Sequence, residues 1–84
     1  MKTTRTAEQH IIRTMRASDP CSFIEIRRDL EGQMQGVDRE NSEQVARAAL
    51  DKLMAAGVIR CESGSKWYVV TWSGWKRIQA GHYV

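Results

Sequence analysis

The chain has 84 residues, of which 42% are hydrophobic and 27% charged, with a formal net charge of +3 at pH 7. This length allows one domain with a compact core and leaves little material for a deep substrate pocket. No apolar run approaches the roughly 18 residues of a membrane-spanning helix. The N-terminal sequence contains no apolar signal segment, and we expect a cytoplasmic protein.

The charges are distributed unevenly along the chain. Residues 1–18 carry four basic and one acidic residue, residues 19–59 carry five basic and eight acidic, and residues 60–84 carry four basic and one acidic. The three net charges are therefore +3, −3 and +3. Basic ends favour a polyanionic partner such as nucleic acid, whereas the acidic middle favours a protein partner or a solvated helix surface.

The first predicted helix covers residues 7–17. Thr6 and Gln9 have the spacing of a capping box, in which two side chains and two backbone N–H groups bond reciprocally. Apolar residues then recur every three to four positions, which indicates one buried face. Asp19-Pro20 ends the pattern, because the residue before proline is pushed out of the helical region.

The second and third predicted helices cover residues 23–31 and about 40–56. Ser22 and Glu25 form a second capping-box pattern before the second helix. The third helix begins between positions 38 and 42, where Asp38, Asn41 and Ser42 are plausible caps. Gly57 follows it, which is the residue type that most often ends a helix in the left-handed conformation.

After Gly57 the spacing of the apolar residues changes from the period of a helix to the alternation of a β-strand. Residues 58–61 and 66–71 are rich in β-branched and aromatic residues and enclose a polar turn, which predicts a hairpin over about 58–72. A short helical segment containing Trp75 and Ile78 follows. Alternation places Tyr68 on one face of the second strand and Trp67 on the other.

This order of elements resembles the winged helix-turn-helix of small bacterial and phage transcriptional regulators. The resemblance rests on CSFIEI at the start of the second helix, on SEQVARAALDKLMAAGVIR along the third, and on YVVTWSG at the end of the hairpin. It implies an α+β, mostly α domain: a three-helix winged helix-turn-helix with a C-terminal β-hairpin wing. The segment over residues 32–41 is longer than the usual tight turn.

The resemblance also implies a site, because such regulators place the start of the third helix in the major groove of DNA. The base-reading residues at the matching positions are Asn41, Ser42, Gln44 and Arg47. Phosphate contacts would come from the wing and the basic N-terminal region, through Arg5, Arg13, Arg39, Ser63, Ser65 and Lys66. Asn, Gln and Arg have the donors and acceptors that base edges require.

A second interpretation stays open at this point. Glu43, Arg47 and Asp51 follow one another at four-residue spacing, and such side chains also pair along a solvated helix surface. Trp67, Trp72 and Trp75 crowd the end of the chain, and exposed aromatic residues are typical of protein interfaces. The alternative is a phage-type interaction domain that modulates a host protein complex through the acidic third helix or the wing.

The sequence contains few other candidate catalytic, cofactor-binding or metal-binding residues. We expect no catalytic activity, no cofactor and no metal site, because the two histidines and two cysteines lack ligand spacing. Cys21 and Cys61 would lie close together if the segment before the second helix paired with the wing. The leading hypothesis is a phage- or prophage-like DNA-binding regulator, with a homodimer as its expected assembly because one module buries little surface on DNA.

Overall fold

The structure, a computed structural model, describes residues 6–62 and 66–83. This part of the chain forms an α+β fold that is mostly helical, with four helices around one side of a three-stranded antiparallel sheet. The elements are, in chain order, α1 (Ala7–Ala17), β1 (Cys21–Ser22), α2 (Phe23–Gln33), α3 (Ser42–Ala55), β2 (Ile59–Cys61), β3 (Trp67–Val70) and α4 (Trp72–Gln79).

Both capping boxes are present. The Thr6 hydroxyl accepts a hydrogen bond from the backbone N–H of Gln9, whose side chain accepts one from the backbone of Thr6. Ser22 and Glu25 are bonded in the same way. The two boxes set where α1 and α2 begin, since each satisfies N–H groups that the first helical turn leaves without partners. Helix α2 continues to Gln33, two residues beyond its predicted end.

Helix α3 begins at Ser42, two residues later than predicted. The reason is Asp38, whose Oδ1 accepts hydrogen bonds from the backbone N–H groups of Glu40 and Asn41, both at 2.9 Å, and so holds that segment as a turn. At the other end Gly57 has a φ of 75°. The N–H of the next residue reaches back to the carbonyl of Leu53, which is the bonding of a Schellman motif.

The sheet has the strand order β1-β3-β2, so the strand at the end of the hairpin lies in the centre. Ile59 pairs with Val70 on one side of β3, and Cys21 pairs with Tyr68 on the other. Val70 and Ile59 are buried against the helices, whereas Trp67 stands on the opposite face and is exposed. This is the alternation that the sequence predicts for the second strand.

The two cysteines lie on opposite sides of β3. Cys21 and Cys61 both pair with Tyr68, one from each neighbouring strand. Two strand spacings separate their Cα atoms by about 10 Å, which exceeds the span of a disulfide. Neither forms a disulfide within the part of the chain that the structure describes. The buried Cys21 thiol donates to the carbonyl of Ser18, and burial raises its pKa. The expectation that pairing of β1 brings the cysteines together is therefore wrong.

The core lies where α1, α2 and α3 meet the inner face of the sheet. Its fully buried large side chains are Ile11, Ile12, Met15, Ile26, Leu30, Leu50, Leu53 and Val58. Helix α4 closes one end of this core through Gly74, where an added Cβ would overlap the carbonyl of Val58. Ile78 is buried on the same side of α4, and Trp75 packs against the core while remaining partly exposed.

Candidate functional site

Helix α3 presents its first two turns to the surface. Gln44, Arg47 and Ala48 are exposed, whereas Ala46 and Leu50 face the core. Residues three and four apart lie on the same side of a helix, so Gln44, Arg47 and Ala48 share one outward face. Two of the four predicted base-reading residues therefore lie side by side on an accessible surface.

Ser42 does not belong to that surface. Its side chain points into the protein and is 0% exposed. The hydroxyl accepts a hydrogen bond from Arg27 Nε at 2.9 Å and donates one to Glu31 Oε1 at 2.8 Å. Arg27 and Glu31 are themselves paired at 3.5 Å, so these three side chains join α2 to the start of α3. The prediction that Ser42 reads a base is wrong, because its hydroxyl is buried and fully used within the protein.

Asn41 holds the loop between α2 and α3. Its Nδ2 donates to the carbonyl of Gly36 at 3.0 Å, and its Oδ1 accepts from the backbone N–H of Asp38 at 2.8 Å. Gly36 has a φ of 84°, which glycine adopts without a steric cost. Both ends of the Asn41 amide serve the loop, which groups this residue with the loop rather than with the exposed residues of α3.

Arg47 is held by two neighbours. Its Nε and Nη2 donate to the same carboxylate oxygen of Glu43, at 3.3 and 3.1 Å. Its guanidinium carbon lies 5.3 Å from the centre of the Phe23 ring, within range of a cation–π contact. The side chain nevertheless remains 67% exposed. The structure therefore combines an accessible guanidinium with two contacts that favour one orientation.

Basic side chains gather beside this part of α3. Two adjoining grooves share Ile24 and Arg27 in their lining. The basic residues that line the two grooves, here called the basic surface, are Arg27, Arg28, Arg39, Arg47 and Lys66. Only two carboxylates, those of Glu31 and Glu43, line the same grooves, so the lining has a net charge of +3.

The acidic middle of the chain therefore does not produce an acidic surface at this place. Several of its carboxylates are used inside the fold: Asp29 accepts from the Thr14 hydroxyl at 2.5 Å, and Asp19 accepts from the backbone N–H of Val70 at 3.4 Å. Asp38 holds the turn before α3, as described above. Glu40, Glu43 and Asp51 of the same segment are exposed on or beside α3, so a partner of α3 meets these carboxylates as well as the basic surface.

The predicted phosphate-binding residues are only partly brought together. Arg39 and Lys66 belong to the basic surface. Arg13 lies on α1 and lines separate grooves that share no residue with it. The remaining three predicted residues, Arg5, Ser63 and Ser65, lie outside the described residues.

Sequence reasoning missed Arg27 and Arg28. Both lie on α2, which the periodicity identified only through its buried residues. Arg27 reaches α3 through Ser42, and Arg28 is exposed on the neighbouring groove. The adjacent pair of arginines on the outward side of a predicted helix was the available signal, and its proximity to Lys66 depends on packing that no local pattern reveals.

The three tryptophans have different environments. Trp72 is the most exposed, at 78%, and lies at the start of α4, where Lys76 Nζ stands 5.8 Å from the centre of its ring. Trp67 is 43% exposed on the outer face of the sheet. Trp75 packs partly against the core. The predicted aromatic interface is therefore divided between the sheet and α4, and Trp72 is its most accessible member.

The described residues offer neither a metal site nor a membrane-spanning helix. They contain no group of three or more His, Cys, Asp or Glu side chains placed to hold a metal ion. None of their helices has the length and apolar character needed to cross a membrane. No protein-family model matches the chain, and no curated protein or solved structure matches it significantly.

Proposed function

We propose that this protein is a small DNA-binding regulator with a winged helix-turn-helix fold. The order helix–strand–helix–helix–strand–strand supports the fold, as does the antiparallel pairing of β1 with β3. In this interpretation α3 is the recognition helix and the β2–β3 hairpin is the wing. Helix α4 is an addition that closes the core behind the wing.

The observation that supports DNA binding best is the basic surface beside the exposed turns of α3. Duplex DNA attracts proteins mainly through its phosphates, and each phosphate that a lysine or arginine side chain neutralises adds to the affinity. No carboxylate among the described residues lies within ion-pairing distance of Arg28, Arg39 or Lys66. These three side chains are therefore available to anchor phosphates in the two grooves of the basic surface.

In this mechanism one set of side chains binds phosphates and another set binds base edges. Arg28, Arg39 and Lys66 neutralise phosphates and fix the register of α3 on the duplex. Gln44 and Arg47 project from the outward face of α3 and meet base edges in the major groove. Ala48 beside them has a small side chain, which lets the helix approach the bases closely.

A paired set of variants tests this assignment. Arg28→Ala combined with Arg39→Ala should weaken binding to random duplex DNA by about tenfold or more at low salt, because two phosphate anchors are lost. Arg16→Ala combined with Arg77→Ala removes the same charge from exposed positions outside the basic surface. Fluorescence anisotropy with a labelled duplex should show a clearly smaller loss for this control. Equal losses would mean that binding depends on net charge alone.

The exposure of Trp72 favours a second candidate function, docking of a protein partner. An indole that is 78% exposed presents a large apolar surface to solvent, and such surfaces mark interaction sites. Under this proposal Trp72→Ala abolishes capture of a protein partner by the immobilised chain, whereas the Arg28 and Arg39 double variant captures it normally. The reverse pattern would place the partner on the basic surface instead.

A further inference from the structure

We propose that Glu43 and Phe23 orient the guanidinium of Arg47 to read a guanine, which makes Arg47 the residue that determines sequence specificity. The inference rests on the proposed DNA-binding function and goes beyond it, since it names the base and two positioning residues. Neither Glu43 nor Phe23 contacts DNA in this scheme. Each acts by restricting Arg47.

The hydrogen bonds to Glu43 leave the outer edge of the guanidinium, formed by Nη1 and Nη2, free to bind a base. The group has five N–H donors in one plane, and its Nε and one hydrogen of Nη2 are directed at the Glu43 carboxylate. Nη1 and the second hydrogen of Nη2 therefore remain on the outer edge. Two parallel N–H groups at this spacing match the O6 and N7 acceptors that guanine presents in the major groove.

Phe23 restricts the remaining motion. Its ring lies against the guanidinium at 5.3 Å and is itself partly buried against the core at the start of α2. A planar cation resting on an anchored ring keeps its plane fixed. An arginine ordered before binding loses less side-chain entropy when the complex forms, so more of the contact energy appears as affinity for the matching base.

The carboxylate also decides against the simpler alternative that Arg47 binds a phosphate. Glu43 offsets the charge of Arg47 and repels a phosphate placed beside it, whereas the O6 and N7 acceptors of guanine carry only partial negative charges and are repelled less. Arg28, Arg39 and Lys66 have no carboxylate partner among the described residues and are better phosphate anchors. The arginine with the paired carboxylate is therefore the base reader.

The test separates specificity from affinity. A preferred site is first selected from a random duplex library with the wild-type protein, and each of its guanines is then replaced by adenine. Wild-type protein should lose about 5- to 150-fold in affinity at one guanine, the factor expected of one bidentate contact. Arg47→Ala should abolish this discrimination at that position alone.

Glu43→Gln should change affinity and specificity in opposite directions. Removal of the negative charge raises affinity for random duplex DNA. The neutral amide holds the guanidinium of Arg47 more weakly than the carboxylate does, so Arg47 loses part of its discrimination at the guanine. Asp51→Asn is the matched control, because it removes the same charge one turn from Arg47 on the other side and Asp51 makes no ion pair with it. This control should raise affinity and retain the wild-type discrimination.

Three results would overturn the inference. Each of them rejects a different part of the account: the role of Glu43, the role of Arg47, or DNA binding itself. Unchanged discrimination in Glu43→Gln removes the positioning role of Glu43. A selected site in which no guanine depends on Arg47 removes the specificity role and leaves DNA binding intact. Failure of the wild-type protein to bind any duplex at low salt overturns both the inference and the proposed function.

Discussion

The Ser42→Ala variant examines how α2 and α3 are fixed to each other. Ser42 is buried, and its hydroxyl links Arg27 and Glu31 at 2.9 and 2.8 Å. Alanine removes both hydrogen bonds without adding atoms and leaves the Arg27–Glu31 pair in place. The loss of stability therefore reports the contribution of the hydroxyl.

The expected magnitude follows from the partners. A hydrogen bond to a charged group contributes about 1.5–3 kcal/mol, but the Arg27 and Glu31 side chains are 35% and 29% exposed, so water replaces part of what they lose. We expect the free energy of unfolding to fall by about 1–2 kcal/mol. For a domain of this size, that corresponds to a decrease in Tm of roughly 5–15 °C.

Urea and thermal unfolding followed by circular dichroism measure this loss. Ser18→Ala is the matched control, because Ser18 is exposed and its hydroxyl makes no hydrogen bond within the described residues. The control should change stability by less than about 0.5 kcal/mol. A loss for Ser42→Ala no larger than that of the control would refute the view that this buried network joins the two helices.

Gly74→Ala should lower the free energy of unfolding by about 1–3 kcal/mol, because the added methyl overlaps the backbone carbonyl of Val58. Gly32→Ala, in α2 with no atom within 4 Å of the added methyl, should raise it by about 0.5–1 kcal/mol; urea unfolding checks both signs. In the native protein a thiol reagent at neutral pH should modify exposed Cys61 quickly and Cys21 only after unfolding, because burial shields the Cys21 thiol and raises its pKa. A change in the free energy of unfolding with the same sign in both glycine variants would contradict the described packing. Equally fast modification of both thiols would contradict it too.

Local chemistry was readable from the sequence. Thr6 and Ser22 specify where two helices begin, because the capping box needs only residues three apart. Gly57 specifies where α3 ends, because a residue in the left-handed conformation is required there. Alternation in β3 separates Trp67 from the core side of the sheet. Each of these signals operates within a few residues.

The candidate site depended on contacts between distant residues, and there the sequence was a poor guide. Serine is a residue type that often begins a helix at the protein surface. The burial of Ser42 is explained only by its hydrogen bonds to Arg27 and Glu31 of α2. Arg27 and Lys66 are far apart in the chain and line the same groove because of packing. The net charge of each segment did not reveal this, because it does not show which side chains of distant segments share a surface.

The most direct test of the central proposal is the salt dependence of wild-type binding to random duplex DNA. Arg28, Arg39 and Lys66 make about three phosphate contacts, which predicts a slope of about −2.7 for the logarithm of the binding constant against the logarithm of salt concentration. Between about 50 and 200 mM salt, affinity should therefore fall about 40-fold. No binding at about 50 mM salt, or an affinity that salt leaves unchanged, would contradict the proposal that the basic surface binds DNA.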